Sequence, residues 1–309
     1  MKLNAIVITG PTASGKSDLA IEIARTHSME IVSVDSALVY RTMDIGTAKP
    51  GEKVRQEISH HLIDIRDPGD PYSAAEFRAD AIKVIEDIHH RGNTPLLVGG
   101  TMLYLKALKD GIAELPSADP QIRARILEQA ENEGWLSLHE RLQQVDPEAA
   151  LRISCNDPQR LQRALEVYEI TGETITDLHR LKRSECPFHL VEVAIMPTDR
   201  KALHQRIAER FEKMLARGFM AEVQELYERG DLSPDLPSIK AVGYRQAWAH
   251  LQGEIDYATM RERAITATRQ LAKRQFTWLR SWKNLNVIGS PDRAQVLKIL
   301  KGASILPIS

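Results

Sequence analysis

The sequence predicts an α/β fold: a three-layer parallel sheet core with a phosphate-binding loop (P-loop) after its first strand and an all-helical domain inserted into it. Three observations predict this. Short β-branched apolar runs recur along the chain, helical periodicity fills most intervals between them, and one internal region of helical pattern carries no strand signal. The runs lie at 5–9, 31–34, 62–65, 96–98 and 190–195, with a last one at 286–288.

The first run is followed directly by Gly10, Pro11, Thr12, Ala13, Ser14, Gly15, Lys16 and Ser17, a full phosphate-binding-loop pattern. Residues 18–25 then carry apolar side chains at helical spacing. A strand, a glycine-rich turn and a helix in this order aim backbone N–H groups and the positive helix end at one anion. Lys16 adds a point charge, and the Ser17 hydroxyl can ligate a Mg²⁺ that bridges two phosphates. The bland alternative, an ordinary glycine-rich turn, needs a coincidence of pattern and context. The interval 74–90 is the clearest crossover helix of a parallel sheet.

From Pro116 to about Cys186 helical periodicity takes over, punctuated by Asp119-Pro120, Asp146-Pro147 and Asp157-Pro158. Each pair reads as an Asp N-cap followed by Pro at the first helical position. The predicted domains are therefore a core of 1–115 and 188–309 and a helical insertion of 116–187. Long helices are expected over 200–227 and 257–282.

At 309 residues, with 43% hydrophobic and 27% charged residues, the composition is that of a globular protein with a sizeable core. No stretch approaches the roughly 20 apolar residues of a membrane span, and the N-terminus runs into a strand pattern rather than a signal peptide, so the expected location is the cytoplasm. Two cysteines, Cys155 and Cys186, with no CxxC pair, argue against a zinc site and a disulfide framework. The net charge of −1 hides a local excess. Between Arg261 and Lys283 seven basic residues face a single acid, Glu262.

Four places carry candidate chemistry. Asp35 follows the strand run 31–34, on the sheet edge expected to hold the phosphate loop; it reads as a metal ligand, a general base or a helix cap. Thr101 follows Gly99-Gly100 at another strand end, where it can meet a ligand or cap the next helix. Arg217, just before Gly218, can face an anion or merely complement a helix C-terminus. At 100° per residue, Arg269, Lys273, Phe276, Arg280 and Lys283 fall within an arc of roughly 80°, with Leu271, Trp278 and Trp282 opposite as the expected core side. The basic side is either solvated or a phosphate-backbone track. Residue chemistry alone leaves an ATP-dependent kinase, a transferase whose leaving group is diphosphate, and a nucleotide-dependent RNA-binding switch. No clear Walker-B run supports the switch.

Six ordered motifs carry a closer resemblance: 10–17, Asp35-Ser36-Ala37-Leu38 with Tyr40, 43–50, 60–64, 97–101 and 241–245. From the first strand to about Trp282 the chain closely resembles bacterial tRNA dimethylallyltransferases, also called tRNA isopentenyltransferases. The resemblance implies transfer of a dimethylallyl group from its diphosphate to the N6 amine of the adenosine just 3′ of the anticodon, in tRNAs reading codons that begin with U, with Mg²⁺. It implies that residues 10–17 and Arg217 hold the diphosphate, with Ser17 toward the metal, that Asp35 takes the amine proton, and that Thr101 steadies the leaving group. It further places the tRNA anticodon stem-loop on Asp35, Ser36, Ala37, Leu38, Thr101 and Arg123, on Gln159, Arg160, Leu161, Gln162 and Arg163, on Lys240, Ala241, Val242, Gly243, Tyr244 and Arg245, and on Lys273 and Arg280. The expected protein is a monomer. Two departures stand out: Leu38 occupies a position where many relatives carry Gln, and the C-terminal zinc finger of eukaryotic relatives is missing.

Overall fold

A computed structural model describes residues 2–113, 115–180 and 185–305; the parts of the predicted domain spans at 1, 114, 181–184 and 306–309 lie outside the described residues. The chain divides into two compact units, Met1–Lys109 with Cys186–Ser309, and Asp110–Glu185.

The larger unit opens with β1 (Asn4–Thr9), α1 (Lys16–Ala24), β2 (Met29–Val34), α2 (Glu52–Glu57), β3 (His60–His61), α3 (Ala74–His90), β4 (Thr94–Gly99) and α4 (Met102–Asp110). In the smaller unit follow α5 (Pro120–Val145), α6 (Pro147–Arg152), α7 (Pro158–Thr171) and α8 (Ile175–Arg180). The larger unit resumes with β5 (His189–Ile195), α9 (Arg200–Ala216), α10 (Phe219–Glu228), α11 (Tyr244–Leu251), α12 (Tyr257–Ser281), β6 (Asn286–Ile288) and α13 (Arg293–Gly302).

Its six strands form one sheet in the order β3-β2-β4-β1-β5-β6, and every pairing is parallel. The central strands are apolar on both faces because helices cover both. Ile6, Ile8, Leu96 and Val98 pack with Leu19 and Ile23 of α1 and with Val296 and Leu300 of α13. The alternate residues Val7, Val32 and Leu97 are equally buried, and α3 packs on β2 and β4. The strand after β1 lies beyond β4, whereas β5 joins on the other side of β1. This reversal opens a crevice at the carboxyl ends of β1, β2 and β4, where ligands bind in sheets of this kind.

Two predicted elements differ. The run 62–65 is not a strand: β3 stops at His61, and Leu62 and Asp64 take φ of +60° and +57°. The cause is tertiary. Asp64 accepts hydrogen bonds from the buried Lys49 and, at 2.7 Å, from Arg55 Nη1, which turns the chain out of its extended path. The helix expected over 200–227 breaks at Gly218, whose φ of +96° ends α9 and opens α10.

In the smaller unit all three Asp-Pro pairs open helices as their chemistry predicts. Asp119, Asp146 and Asp157 accept hydrogen bonds from the first-turn amides of α5, α6 and α7. Gly134, at φ +83°, kinks α5 so that Ile126 and Leu138 both reach the core. Leu161 is completely buried in that core. Glu166, also fully buried, accepts from Asp119 N (2.9 Å), Arg123 Nε (2.8 Å) and Arg163 Nη1 (2.7 Å). Burial alone would raise its pKa, but these donors outweigh burial and hold the carboxyl below its ordinary value.

Candidate active site

The phosphate loop leaves β1 through backbone that few side chains accept. Ala13 sits at φ +60° and Gly15 at φ +88°. No side chain caps α1, so the amides of its first turn stay directed toward the crevice. Ser14 Oγ is buried in the same loop without a hydrogen-bond partner among the described residues, an orphaned donor that an anion would satisfy. Lys16 Nζ donates to Pro11 O at 3.3 Å. Burial of this ammonium pushes its pKa down to about 8, opposed by nearby Asp35 and assisted by Arg210.

Asp35 leaves the end of β2 across the crevice. Its Oδ1 accepts from Ala37 N at 2.9 Å, which fixes the carboxylate, while Oδ2 accepts no hydrogen bond among the described residues. Thr101 follows β4, and its Oγ1 accepts from Ser36 N at 3.0 Å. The hydroxyl thus ties two strand ends together rather than capping α4.

Two cavities, of about 480 and 620 Å³, meet at this point. The larger is walled by loop residues Thr12 to Ser17 and by Arg206, Arg210, Lys213 and Arg217 of the α9 segment. The smaller is walled by Ser36, Ala37 and Thr101, by Lys240 to Tyr244, and by Arg274 and Trp278 of α12. Asp35 borders both. Gly10 and Pro11 form the start of the loop, and Leu38 lines only the larger cavity.

The structure therefore gathers residues 12–17, 35–38, 101, 217 and 240–244 around one pair of cavities. Arg245, Lys273 and Arg280 are exposed and border neither. Tyr244 is a buried pillar: its hydroxyl donates to Glu222 Oε1 at 2.5 Å, and Glu222 also accepts from the amides of Asp44, Ile45 and Gly46. Arg123 and Residues 159–163 belong to the helical unit, where Gln159 and Arg160 are exposed and Leu161 has no surface to offer a partner.

The expected faces of α12 need correction. Phe276 is buried, together with Ala264, Ala272, Gln275 and Leu279, whereas Trp278 is 38% exposed and Leu271 only half-buried. The core side is the one carrying Phe276, because α12 packs on α9 and α11 while Leu271 and Trp278 face the cavities.

Two site residues escaped the sequence reading. Arg210 lies at the junction of the cavities and donates weakly to Thr12 Oγ1 at 3.4 Å. Its signal was the spacing of Arg206, Arg210, Lys213 and Arg217, one helical face hidden by Glu209 and Glu212. Gln275 accepts from Thr12 N at 2.8 Å and donates to Gly100 O at 2.9 Å. A Cβ at Gly100 would stand 2.5 Å from Gln275 Nε2, so a side chain there would push Gln275 from this position. A polar residue on the buried face of a helix was its only trace.

A parallel sheet with a glycine-rich loop at its switch point, four cations along one wall and a carboxylate at the junction is the arrangement of an α/β enzyme with room for an anionic substrate beside a second reactant. A family model described as IPP transferase matches residues 38–282, and the chain belongs to that family. Among solved structures it is similar to the tRNA isopentenylpyrophosphate transferase of Bacillus halodurans (32% identity, 98% of this chain and 96% of that one, TM-score 0.71). It is also similar to the tRNA Δ²-isopentenylpyrophosphate transferase of Staphylococcus epidermidis (34%, 98% of each chain, TM-score 0.68). A eukaryotic dimethylallyltransferase acting on tRNA matches at 28% identity over 98% of this chain and 78% of its own, with TM-score 0.77.

Proposed function

We propose that this chain transfers the dimethylallyl group from its diphosphate to the N6 amine of the adenosine immediately 3′ of the anticodon, in tRNAs that read codons beginning with U. The observation that carries the reading is Asp35, a carboxylate with a free oxygen bordering both the phosphate-loop cavity and the cavity beside it. The donor's diphosphate lies on residues 10–17 with Arg217, and the adenine enters beside Ser36, Ala37 and Thr101. N6 forms a bond to the allylic carbon as the carbon–oxygen bond breaks. The electron pair of that bond leaves on the diphosphate, and Asp35 takes the N6 proton. Charge growing on the bridging oxygen is met by Lys16, Arg217 and the loop amides, which therefore act most strongly in the transition state. Thr101 holds Ser36, and with it the Asp35 turn, in place. The target base must leave its stack to reach this point.

Mg²⁺ fits this site in a particular way. Among the described residues no three His, Cys, Asp or Glu side chains converge as a metal cage. Mg²⁺ needs none when phosphate oxygens and water complete its shell, and the exposed Ser17 hydroxyl on the larger cavity supplies one protein oxygen. Bound there, Mg²⁺ would neutralise diphosphate charge.

The RNA would be held by Lys240 and Arg245, by Gln159, Arg160, Gln162 and the surface of Arg123 and Arg163 in the helical unit, and by Lys273 and Arg280. The expected assembly is a monomer. No helix among the described residues is long and apolar enough to cross a membrane, which fits a cytoplasmic enzyme. Reversing charge with Lys273→Glu and Arg280→Glu should lower the slope of log affinity against log salt by about 2. A filter-binding titration with an unchanged slope removes both residues from the RNA surface.

The reaction is tested by incubating the protein with unmodified tRNA, Mg²⁺ and either dimethylallyl diphosphate or ATP, followed by nucleoside mass spectrometry. Isopentenyladenosine formed only with the allyl donor is the expected product. ATP consumed with no change in the RNA would point instead to a kinase.

A further inference from the structure

The two cavities share a ring of residues, and its composition bears on which alkyl groups can pass. Thr12, Asp35, Thr47, Arg210 and Gln275 are its polar members. Apart from Gly100 and the small Ala13, the remainder is Met214 and Leu271. We propose that Met214 and Leu271 form a collar that grips the alkyl end of the donor and limits it to five carbons, a specificity that rests on the prenyl-transfer reading above.

The collar follows from two facing helices. On α9, Met214 lies one turn after Arg210; on α12, Leu271 lies one turn before Gln275. Both polar partners are drawn to the same loop residue, Arg210 to Thr12 Oγ1 and Gln275 to Thr12 N. The polar edge of the ring is thereby anchored on the phosphate loop. Met214 and Leu271 stand beside these anchored groups where the two cavities meet, so a diphosphate on the loop that turns its ester oxygen toward Asp35 brings its first carbons to Met214 and Leu271.

Met214 is nearly buried and Leu271 half-buried, and both narrow the passage where the two cavities meet. A further isoprene unit would have to displace one of them or enter the space beside Ser36 and Thr101 that the acceptor base needs. The same two side chains exclude water from an allylic carbon that develops positive charge, and the polarizable thioether of Met214 suits that role.

The test offers dimethylallyl and geranyl diphosphate in competition to one RNA and reads the ratio of the two alkylated adenosines by mass spectrometry. This ratio reports relative kcat/KM and does not depend on how much enzyme is folded. In Met214→Ala and Leu271→Ala the geranyl share should rise about ten- to a hundredfold over wild type, whereas the volume-conserving Met214→Leu should keep the wild-type ratio. Should the alanine variants form no product, Met214→Val and Leu271→Val carry the same measurement. An unshifted ratio in variants that still transfer dimethylallyl overturns the collar. Failure of the wild-type protein to use dimethylallyl diphosphate at all would instead overturn the reaction.

Discussion

Asp35→Asn should lower kcat for prenyl transfer by roughly 10² to 10⁴, the range for loss of a positioned general base, while leaving the KM for the donor unchanged or lower. Asparagine keeps an oxygen that can accept from Ala37 N, as Asp35 Oδ1 does at 2.9 Å, so the turn and its neighbour Ser36 should stay in place. It lacks the second carboxylate oxygen that would take a proton from N6. Removing a negative charge from the neighbourhood of Lys16 and Arg210 also makes the crevice more attractive to a diphosphate. Steady-state kinetics with both substrates varied would reveal this split. A near-normal kcat would remove Asp35 from the proton transfer, and a raised donor KM would make it a binding residue.

What could be read from sequence was what local chemistry determines. Asp119, Asp146 and Asp157 announce their helices because cap and proline act within a few residues. The phosphate loop is legible for the same reason: the glycines, Lys16 and Ser17 are contiguous. Misreadings fall where distant contacts decide. Residues 62–65 have strand-like composition, yet Lys49 and Arg55 pull Asp64 out of the sheet. On α12, helical phase was clear, but which arc faced the core depended on where α9 and α11 pack. Arg210 and Gln275 converge on Thr12 from sequence distances of 198 and 263 residues, and nothing local distinguishes them from other polar residues on amphipathic helices.

The donor half of the site should carry a pH dependence that traces to Lys16. Its ammonium is destabilised by burial, so in the free protein it is charged below a pKa of about 8 and loses its proton as pH rises through that value. A diphosphate favours the charged form, so binding draws on protonated Lys16, and the affinity present at neutral pH weakens above about 8. The kcat/KM for the donor, which reports ionisations of the free enzyme, should therefore bend downward near pH 8 and fall toward tenfold per unit beyond it. Lys16→Met removes the charge at every pH and should cost about 10² to 10³ in kcat, the scale for a group that stabilises a developing oxyanion. Its kcat/KM profile should also lose the alkaline bend. A bend that persists in Lys16→Met belongs to another group, and a flat wild-type profile from neutral pH to well above 9 would mean that Lys16 stays charged despite its burial, with Asp35 outweighing the surrounding protein.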